Sequence, residues 1–369
     1  MHIALIISSL SPGGAERVLS QLANAWISGG HKVSIITFAD PNVVPFYHLD
    51  ERIHLYQLNQ LIMQKSTPLC RLKNILKRIL KLRQALKRVK PDVVISFVDV
   101  TNITALLAGI RLRIPTIVCE RTHPQYYRLP AIYNRLRLLT YSWAHTVICQ
   151  TASASEYFSN ISDRKKAIIP NYVKKPGVQK NEVDVLRPVQ KIISVGRLCP
   201  NKGFATLIKA FSEIVHQKPD LTLTIYGEGA ERQNLEALIR ELDLTAKIFL
   251  PGIIKDVEAA LYQADLFVFP SLYEGFPNVL CEAMAVGLPV IASNCSGNID
   301  IVREGIDGRL FSVGDVGQLK RLMGELIEDA PQRVKLSKGA MCLPDRFSQE
   351  TILQKWDAAL REAVGLSQP

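Results

Sequence analysis

Two carboxylates, Glu274 and Glu282, stand eight residues apart in the stretch EGFPNVLCE. Between them lie Gly275, Phe276 and Pro277, then Asn278, Val279 and Leu280, which open a segment of helical apolar spacing running to Val286. Pro277 suits a first helical turn, where its missing N–H is not needed, and Gly287 with Pro289 supplies the stop. A helix N-terminus offers amides without intrahelical acceptors and a partial positive charge, which suits a phosphate. Both carboxylates can border that anion site, and carboxylates accept hydrogen bonds from sugar hydroxyls. The plain alternative is a strand–loop–helix with a surface carboxylate at each end.

Other residues offer compatible chemistry. In GRLCPNKG, Arg197 and Lys202 are five residues apart in a loop that leads into a helix. They can converge on a diphosphate, arginine by a two-pronged grip and lysine as a point charge, or they can be two solvated loop cations. In SPGGAER, Gly13 and Gly14 would let backbone approach a diphosphate or sugar at the start of a helix. Neither this loop nor Gly227–Arg232, with arginine where a third glycine would stand, completes the G-x-G-x-x-G fingerprint. His123, in ERTHP, follows an apolar strand, although a lone histidine is usually structural. Asp99, in SFVDVTN, can line the same ligand site, cap a helix, or leave the cap to Thr101. No Asp-x-Asp occurs in the chain.

The elements that must hold these residues alternate. Strand patterns at His2–Ser9, Lys32–Phe38, Asp92–Phe97, Pro115–Cys119 and Thr146–Cys149 are separated by helical segments, the first at Ala15–Ile27. Asn171–Val189, rich in Pro, Gly and mixed charge, reads as a linker. Strands then resume at Lys191–Val195, Leu221–Tyr226, Lys247–Leu250, Leu266–Phe269 and Val290–Ala292. Helices are expected between them near Phe204–His216, Ala230–Glu241, Val257–Tyr262 and Asn278–Val286. The pattern predicts an α/β chain of two doubly wound parallel-sheet domains, 1–175 and 189–345, with a ligand between them near the carboxyl ends of the strands.

At 369 residues, 47% hydrophobic and 21% charged, the chain has ordinary globular composition and length for two domains. Its seven cysteines are scattered without a CxxC pair, as in reduced, packed thiols of a cytoplasmic protein. Ile3–Ile7 is too short for a signal h-region, and no apolar run is long enough to span a membrane. The net charge of +11 is uneven: residues 1–175 hold 24 Lys/Arg against 9 Asp/Glu, while the remainder is slightly acidic. Lys65–Lys90 alone carries ten Lys/Arg and no acid, with apolar residues at helical spacing. Such a helix can place Lys73, Lys77, Lys81, Arg83 and Arg88 against an anionic membrane surface, or pack on the sheet with a solvated basic face. The segment lacks the interleaved aromatics of a nucleic-acid binder, so no nucleic-acid partner is expected.

The segment EGFPNVLCE with AMAVGLPVIAS resembles the E-x7-E signature of retaining glycosyltransferases of the GT-B fold, in particular glycosyltransferase family 4. GRLCPNKG, SPGGAER and the position of His123 match the same pattern. The resemblance implies two Rossmann-like domains, with the last helix, about 349–363, crossing back onto the first. It also implies transfer from a nucleotide diphosphate-sugar, with a UDP-sugar favoured, without metal or other cofactor. In that reading Glu274 binds donor-sugar hydroxyls and Glu282 the ribose diol. Gly13, Gly14, Gly275, Phe276, Asn278, Val279 and Leu280 contribute to the donor site. Arg197 and Lys202 stabilise the leaving diphosphate, and His123 touches the sugar or the diphosphate. ERTHP with SFVDVTN looks most like the branch that builds bacterial lipid-linked polysaccharides. That implies a polyprenyl-diphosphate-linked saccharide acceptor and a peripheral place on the inner face of the cell membrane. Nucleotide-sugar epimerases and phosphorylases share the architecture and are the alternative.

Overall fold

The computed structural model describes residues 1–60, 68–127 and 129–366, with side chains from 73 onward in the helix that begins at Pro68. The chain divides into two compact units, one of 1–171 with 350–369 and one of 172–349.

The first unit is a seven-stranded sheet: β1 His2–Ile7, β2 Lys32–Thr37, β3 His54–Gln57, β4 Val93–Phe97, β5 Thr116–Cys119, β6 Thr146–Cys149 and β7 Lys166–Ile168. All neighbours are parallel, in the order β3-β2-β1-β4-β5-β6-β7. The central strands are buried throughout except at His2, the first residue of β1, the pattern of a sheet covered on both faces. The short strands β3 and β7 were not expected. They are edge strands of four and three residues, too brief for a periodic signal.

The helix Gln349–Ala363 completes this core by burying Ile352, Trp356, Ala359 and Leu360 along one stripe. The Trp356 ring meets Trp26 edge-on at 5.8 Å and stacks near Phe97 at 6.3 Å. Truncating a buried aromatic of this kind costs about 3–5 kcal/mol.

The second unit holds β8 Lys191–Val195, β9 Thr222–Tyr226, β10 Ile248–Gly252, β11 Leu266–Phe269, β12 Val290–Ser293 and β13 Arg309–Phe311, again parallel, in the order β10-β9-β8-β11-β12-β13. The helix Asn278–Val286 has the expected bounds, with Pro277 at its N-cap rather than in its first turn. The expected linker contains a helical turn, Glu182–Leu186, opened by a capping box. The Asn181 side chain accepts the Asp184 N–H at 2.9 Å, and the Asp184 carboxylate accepts the Asn181 N–H at 3.2 Å.

The basic helix spans Pro68–Val89, and Lys65 lies outside the described residues. Leu82, Ala85, Leu86 and Val89 bury its inner face in the first core. Lys81 and Arg83 do not present their charges outward as expected. The Lys81 ammonium donates to the Leu58 carbonyl at 3.1 Å, and Arg83 Nη1 donates to the Ala108 and Ile110 carbonyls at 2.8 and 2.6 Å. Lys73, Lys77, Lys87 and Arg88 are exposed, together with Leu76 and Leu80 at 52% and 59%.

Candidate functional site

In a doubly wound sheet the ligand crevice lies outside the carboxyl ends of the strands, where the chain order reverses. In the second unit that point lies between β8 and β11. The loop after β8 carries Arg197 and Lys202, and the loop after β11 carries Glu274. Topology therefore brings together residues separated by more than seventy positions of chain.

Backbone joins the two loops: the Leu272 N–H donates to the Asn201 carbonyl at 2.7 Å. Gly203 adopts φ +62°, and a Cβ there would lie 2.2 Å from the Pro270 carbonyl oxygen. The Lys202 ammonium ion-pairs with Glu274 Oε1, and both side chains are largely buried, at 17% and 12% exposure. Lys202 Nζ also stands 5.1 Å from the Phe269 ring centroid. Arg197 is exposed and makes no ion pair among the described residues.

Gly227 and Gly229 serve this loop. A Cβ on Gly227 would lie 1.9 Å from the Gly196 carbonyl oxygen, and one on Gly229 2.2 Å from that of Leu198. Their backbones pack directly under the Arg197 loop.

Behind Glu274, the helix Asn278–Val286 starts from a buried Pro277, so the first-turn amides of Val279 and Leu280 have no acceptor within the helix. Phe276 is buried edge-on against Phe347 at 5.4 Å, which fixes the loop just ahead of that terminus. Glu282 is half-buried in the second turn. The arrangement supplies two cations, a helix N-terminus and two carboxylates, a set suited to a diphosphate joined to hydroxyl-bearing groups.

The first unit holds the other expected residues beyond the carboxyl ends of β1, β4 and β5. Gly13 precedes the helix Gly14–Ser28 with extended backbone, and its carbonyl accepts the Tyr47 hydroxyl at 3.1 Å. The Glu16 carboxylate folds back over Gly13, so close that a Cβ there would sit 2.1 Å from Glu16 Oε2. At the end of β4, Val98 takes φ +73°, a strained conformation for a β-branched residue, and is the N-cap of Asp99–Gly109. Asp99 is therefore not the cap. It is buried in the first turn and accepts the Val100 N–H at 2.6 Å, and burial raises its pKa.

His123 is 2% exposed, and among the described residues neither ring nitrogen has a hydrogen-bond partner. Its ring leans on Tyr126 at 4.9 Å, and burial lowers its pKa, which favours the neutral imidazole. Buried polar atoms are nearly always partnered, so two unpartnered nitrogens on one side chain are consistent with a ligand contact.

Beneath this loop lies a buried polar cluster that sequence reasoning did not single out. Tyr141 Oη donates to Glu120 Oε1, Asn102 Nδ2 donates to Tyr141 Oη at 2.9 Å, and Arg137 Nη1 stands 3.8 Å from Glu120. Burial pushes the Glu120 pKa up to about 7 against the pull of Arg137 and the Tyr141 hydroxyl. Arg121 reaches the Asn171 side chain, and burial lowers its pKa to about 10. Together these bonds fix the start of the segment that carries His123. Charged residues inside apolar segments, such as Arg137 in RLRLLT, were the available signal.

Two tandem doubly wound units of this kind make the GT-B architecture. Residues 12–174 match the family model described as Glycosyltransferase Family 4, and residues 180–341 the model described as Glycosyl transferases group 1. The chain belongs to the glycosyltransferases of family 4 type with the GT-B fold.

Among its relatives is the GalNAc-alpha-(1->4)-GalNAc-alpha-(1->3)-diNAcBac-PP-undecaprenol alpha-1,4-N-acetyl-D-galactosaminyltransferase of Campylobacter jejuni, 29% identical across 96% of this chain and 97% of that protein. Another is the UDP-Gal:alpha-D-GlcNAc-diphosphoundecaprenol alpha-1,3-galactosyltransferase of Escherichia coli, 27% identical across 69% and 71%. The structure of Anabaena HepE in complex with UDP superposes with a TM-score of 0.82 at 20% identity, covering 98% of this chain and all of that one.

Proposed function

We propose that this glycosyltransferase moves a sugar from a UDP-sugar to a hydroxyl of a polyprenyl-diphosphate-linked saccharide, with retention of anomeric configuration and without a metal. The observation that carries this reading is the Lys202–Glu274 pair at the switch point of the second sheet, beside the N-terminus of Asn278–Val286. Donor binding gives Lys202 a second anionic partner, the diphosphate, which Arg197 and the amides of Val279 and Leu280 also engage. Glu274, relieved of part of its ion pair, accepts hydrogen bonds from the donor sugar. Glu282 accepts from the ribose diol, and His123 supplies a ring nitrogen to the ligand.

As the glycosidic C–O bond breaks, its electron pair goes to the diphosphate, whose charge the cations offset. The acceptor hydroxyl attacks the same face, and its proton passes to the leaving phosphate oxygen. The names of the relatives favour the UDP donor and the lipid-linked acceptor. The test is a thermal-shift panel of UDP-, GDP- and ADP-sugars, followed by NMR of the product's anomeric configuration. Stabilisation by no UDP-sugar, or an inverted product, overturns the reading.

The two carboxylates should separate kinetically. Glu282→Ala is expected to weaken donor binding with little change in turnover, because the ribose diol loses its acceptor. Glu274→Ala is expected to depress turnover and blur the choice between donor epimers. Donor Kd and kcat measured for both variants check this, and unchanged values in each would remove both residues from the site.

We propose further that the enzyme works at the anionic inner face of the cell membrane. Among the described residues no helix is long and apolar enough to cross a membrane. Lys73, Leu76, Lys77, Leu80, Gln84, Lys87 and Arg88 form one exposed stripe of the basic helix, cations flanking two leucines. Each cation near such a surface contributes on the order of 1 kcal/mol. Reversing Lys73, Lys77, Lys87 and Arg88 to Glu is expected to abolish sedimentation with phosphatidylglycerol vesicles and leave thermal unfolding unchanged. Equal sedimentation with neutral and anionic vesicles would show that charge is not the cause.

A further inference from the structure

A hollow of about 890 Å³ lies in the first unit at the opposite edge of the sheet from His123 and Gly13. It opens at the amino ends of β5, β6 and β7, where Thr116, His145 and Lys165 stand at or just before the strands. Its walls carry Arg111, Arg113, His145, Arg164 and Lys165, with Trp143 beside them. Among the described residues one acid, Glu362, also lines it.

Arg111, Arg113 and Arg164 are exposed and make no ion pair among the described residues. Lys165 is held in the wall, donating to the Ser142 and Ala144 carbonyls at 2.9 and 3.2 Å.

The loop that presents two of these arginines is strained. Arg111 and Arg113 adopt φ +61° and +56°, the left-handed region that side-chain-bearing residues rarely occupy, let alone twice in three positions. Glycine would relieve both. Arg83 holds the preceding turn by its bonds to the Ala108 and Ile110 carbonyls, so the surrounding structure imposes the conformation. Trp143 and Ile110, 55% and 42% exposed, add an aromatic and an aliphatic surface at the same place.

We propose that this hollow is a second anion site, which binds the phosphoryl group of a ligand whose less polar body rests on Trp143 and Ile110. Guanidinium forks match phosphate oxygens in two-pronged fashion, and three of them around one concave surface supply more charge than Glu362 offsets. The phosphoryl group can belong to a free phosphate compound or to a phospholipid headgroup. The inference does not depend on the transferase reading, because its probes contain no sugar.

Trp143 is the natural reporter, since Trp26 and Trp356 are 2% and 1% exposed. Its fluorescence is titrated with inorganic pyrophosphate and, separately, with monomeric dihexanoylphosphatidylglycerol. A saturable change with pyrophosphate identifies a soluble ligand, and one with the lipid alone identifies a headgroup. Either supports the site.

Arg111→Gly with Arg113→Gly is expected to weaken the response at least tenfold while raising Tm by about 2–4 °C, because glycine relaxes both backbones. Arg164→Gln is expected to weaken it several-fold with no gain in Tm. Lys202→Ala is expected to leave it unchanged, which separates this hollow from the proposed donor site. No response to either probe, or an equal response in the glycine variant, overturns the proposal.

Discussion

Replacing Lys202 by Ala is expected to reduce glycosyl transfer by about 10²–10³-fold, the usual cost of removing one preorganised donor from a site of developing charge. Arg197→Ala is expected to fall in the same range. Cleavage of the bond to a nucleotide diphosphate leaves new negative charge on the leaving group. In this reading the charge is met by Lys202, Arg197 and the dipole of Asn278–Val286. The two variants differ in one respect. Lys202 pairs with Glu274 in a largely buried setting, so Lys202→Ala also strands a carboxylate at 12% exposure, whereas exposed Arg197 has no ion-pair partner among the described residues to strand.

Lys202→Ala should therefore lower Tm as well as rate, and Glu274→Gln should restore part of the Tm but none of the rate. Steady-state kinetics with unfolding curves for the four proteins decide this. EDTA is expected to leave the parent active. Activity lost to EDTA and restored by Mg²⁺ or Mn²⁺ would show that a metal supplies the charge, and this account of the leaving group would be wrong.

Gly203→Ala is expected to destabilise the second unit by about 3–5 kcal/mol, the range of the most severe single substitutions. Two effects add. An L-residue at φ +62° costs about 1–2 kcal/mol. The new Cβ would also overlap the Pro270 carbonyl, 2.2 Å from its oxygen and 3.2 Å from its carbon, and backbone cannot swing aside as a side-chain tip can. Relief requires the loops after β8 and β11 to part, which would also dismantle the placement of Lys202 against Glu274.

Gly314→Ala is the control: it shares the positive φ, at +81°, but has open space around it, so only the conformational cost of about 1 kcal/mol applies. Denaturant unfolding of the two variants gives the comparison. Equal losses would mean that the loops yield freely and that their register does not rest on Gly203.

The bounds of Asn278–Val286 were legible because local chemistry states them: a proline at the entry, a glycine at the exit and buried apolar residues between. The central strands were legible for the same reason, as continuous apolar runs. β3, β7 and β13 were not, because strands of three or four residues at sheet edges are defined by their neighbours rather than by their own pattern. The turn Glu182–Leu186 was legible in principle. Asn181 and Asp184 are a capping pair, masked by the prolines and glycine that suggested a linker.

At the candidate site the residue types could be read, but not their present bonds. Nothing in GRLCPNKG says that Lys202 reaches a carboxylate seventy-two residues away, since that contact exists only once β8 and β11 lie side by side. Lys81 and Arg83 make the converse point. Helical spacing says which face a cation leaves from, but not that a carbonyl waits within reach of its tip.

The helix Gln349–Ala363 has a consequence for how the protein comes into being. Residues 1–171 lack the Trp356 side chain that packs against Trp26 and Phe97, so the first unit cannot finish its core while those residues alone have left the ribosome. The second unit, 172–349, is contiguous and has all its parts as soon as they are made. The order of completion is therefore the reverse of the order of synthesis: the half translated later can fold first, while the earlier half waits with an apolar face uncovered. During that interval the nascent chain carries exposed apolar surface prone to aggregation, and the hazard ends when the segment around Trp356 emerges.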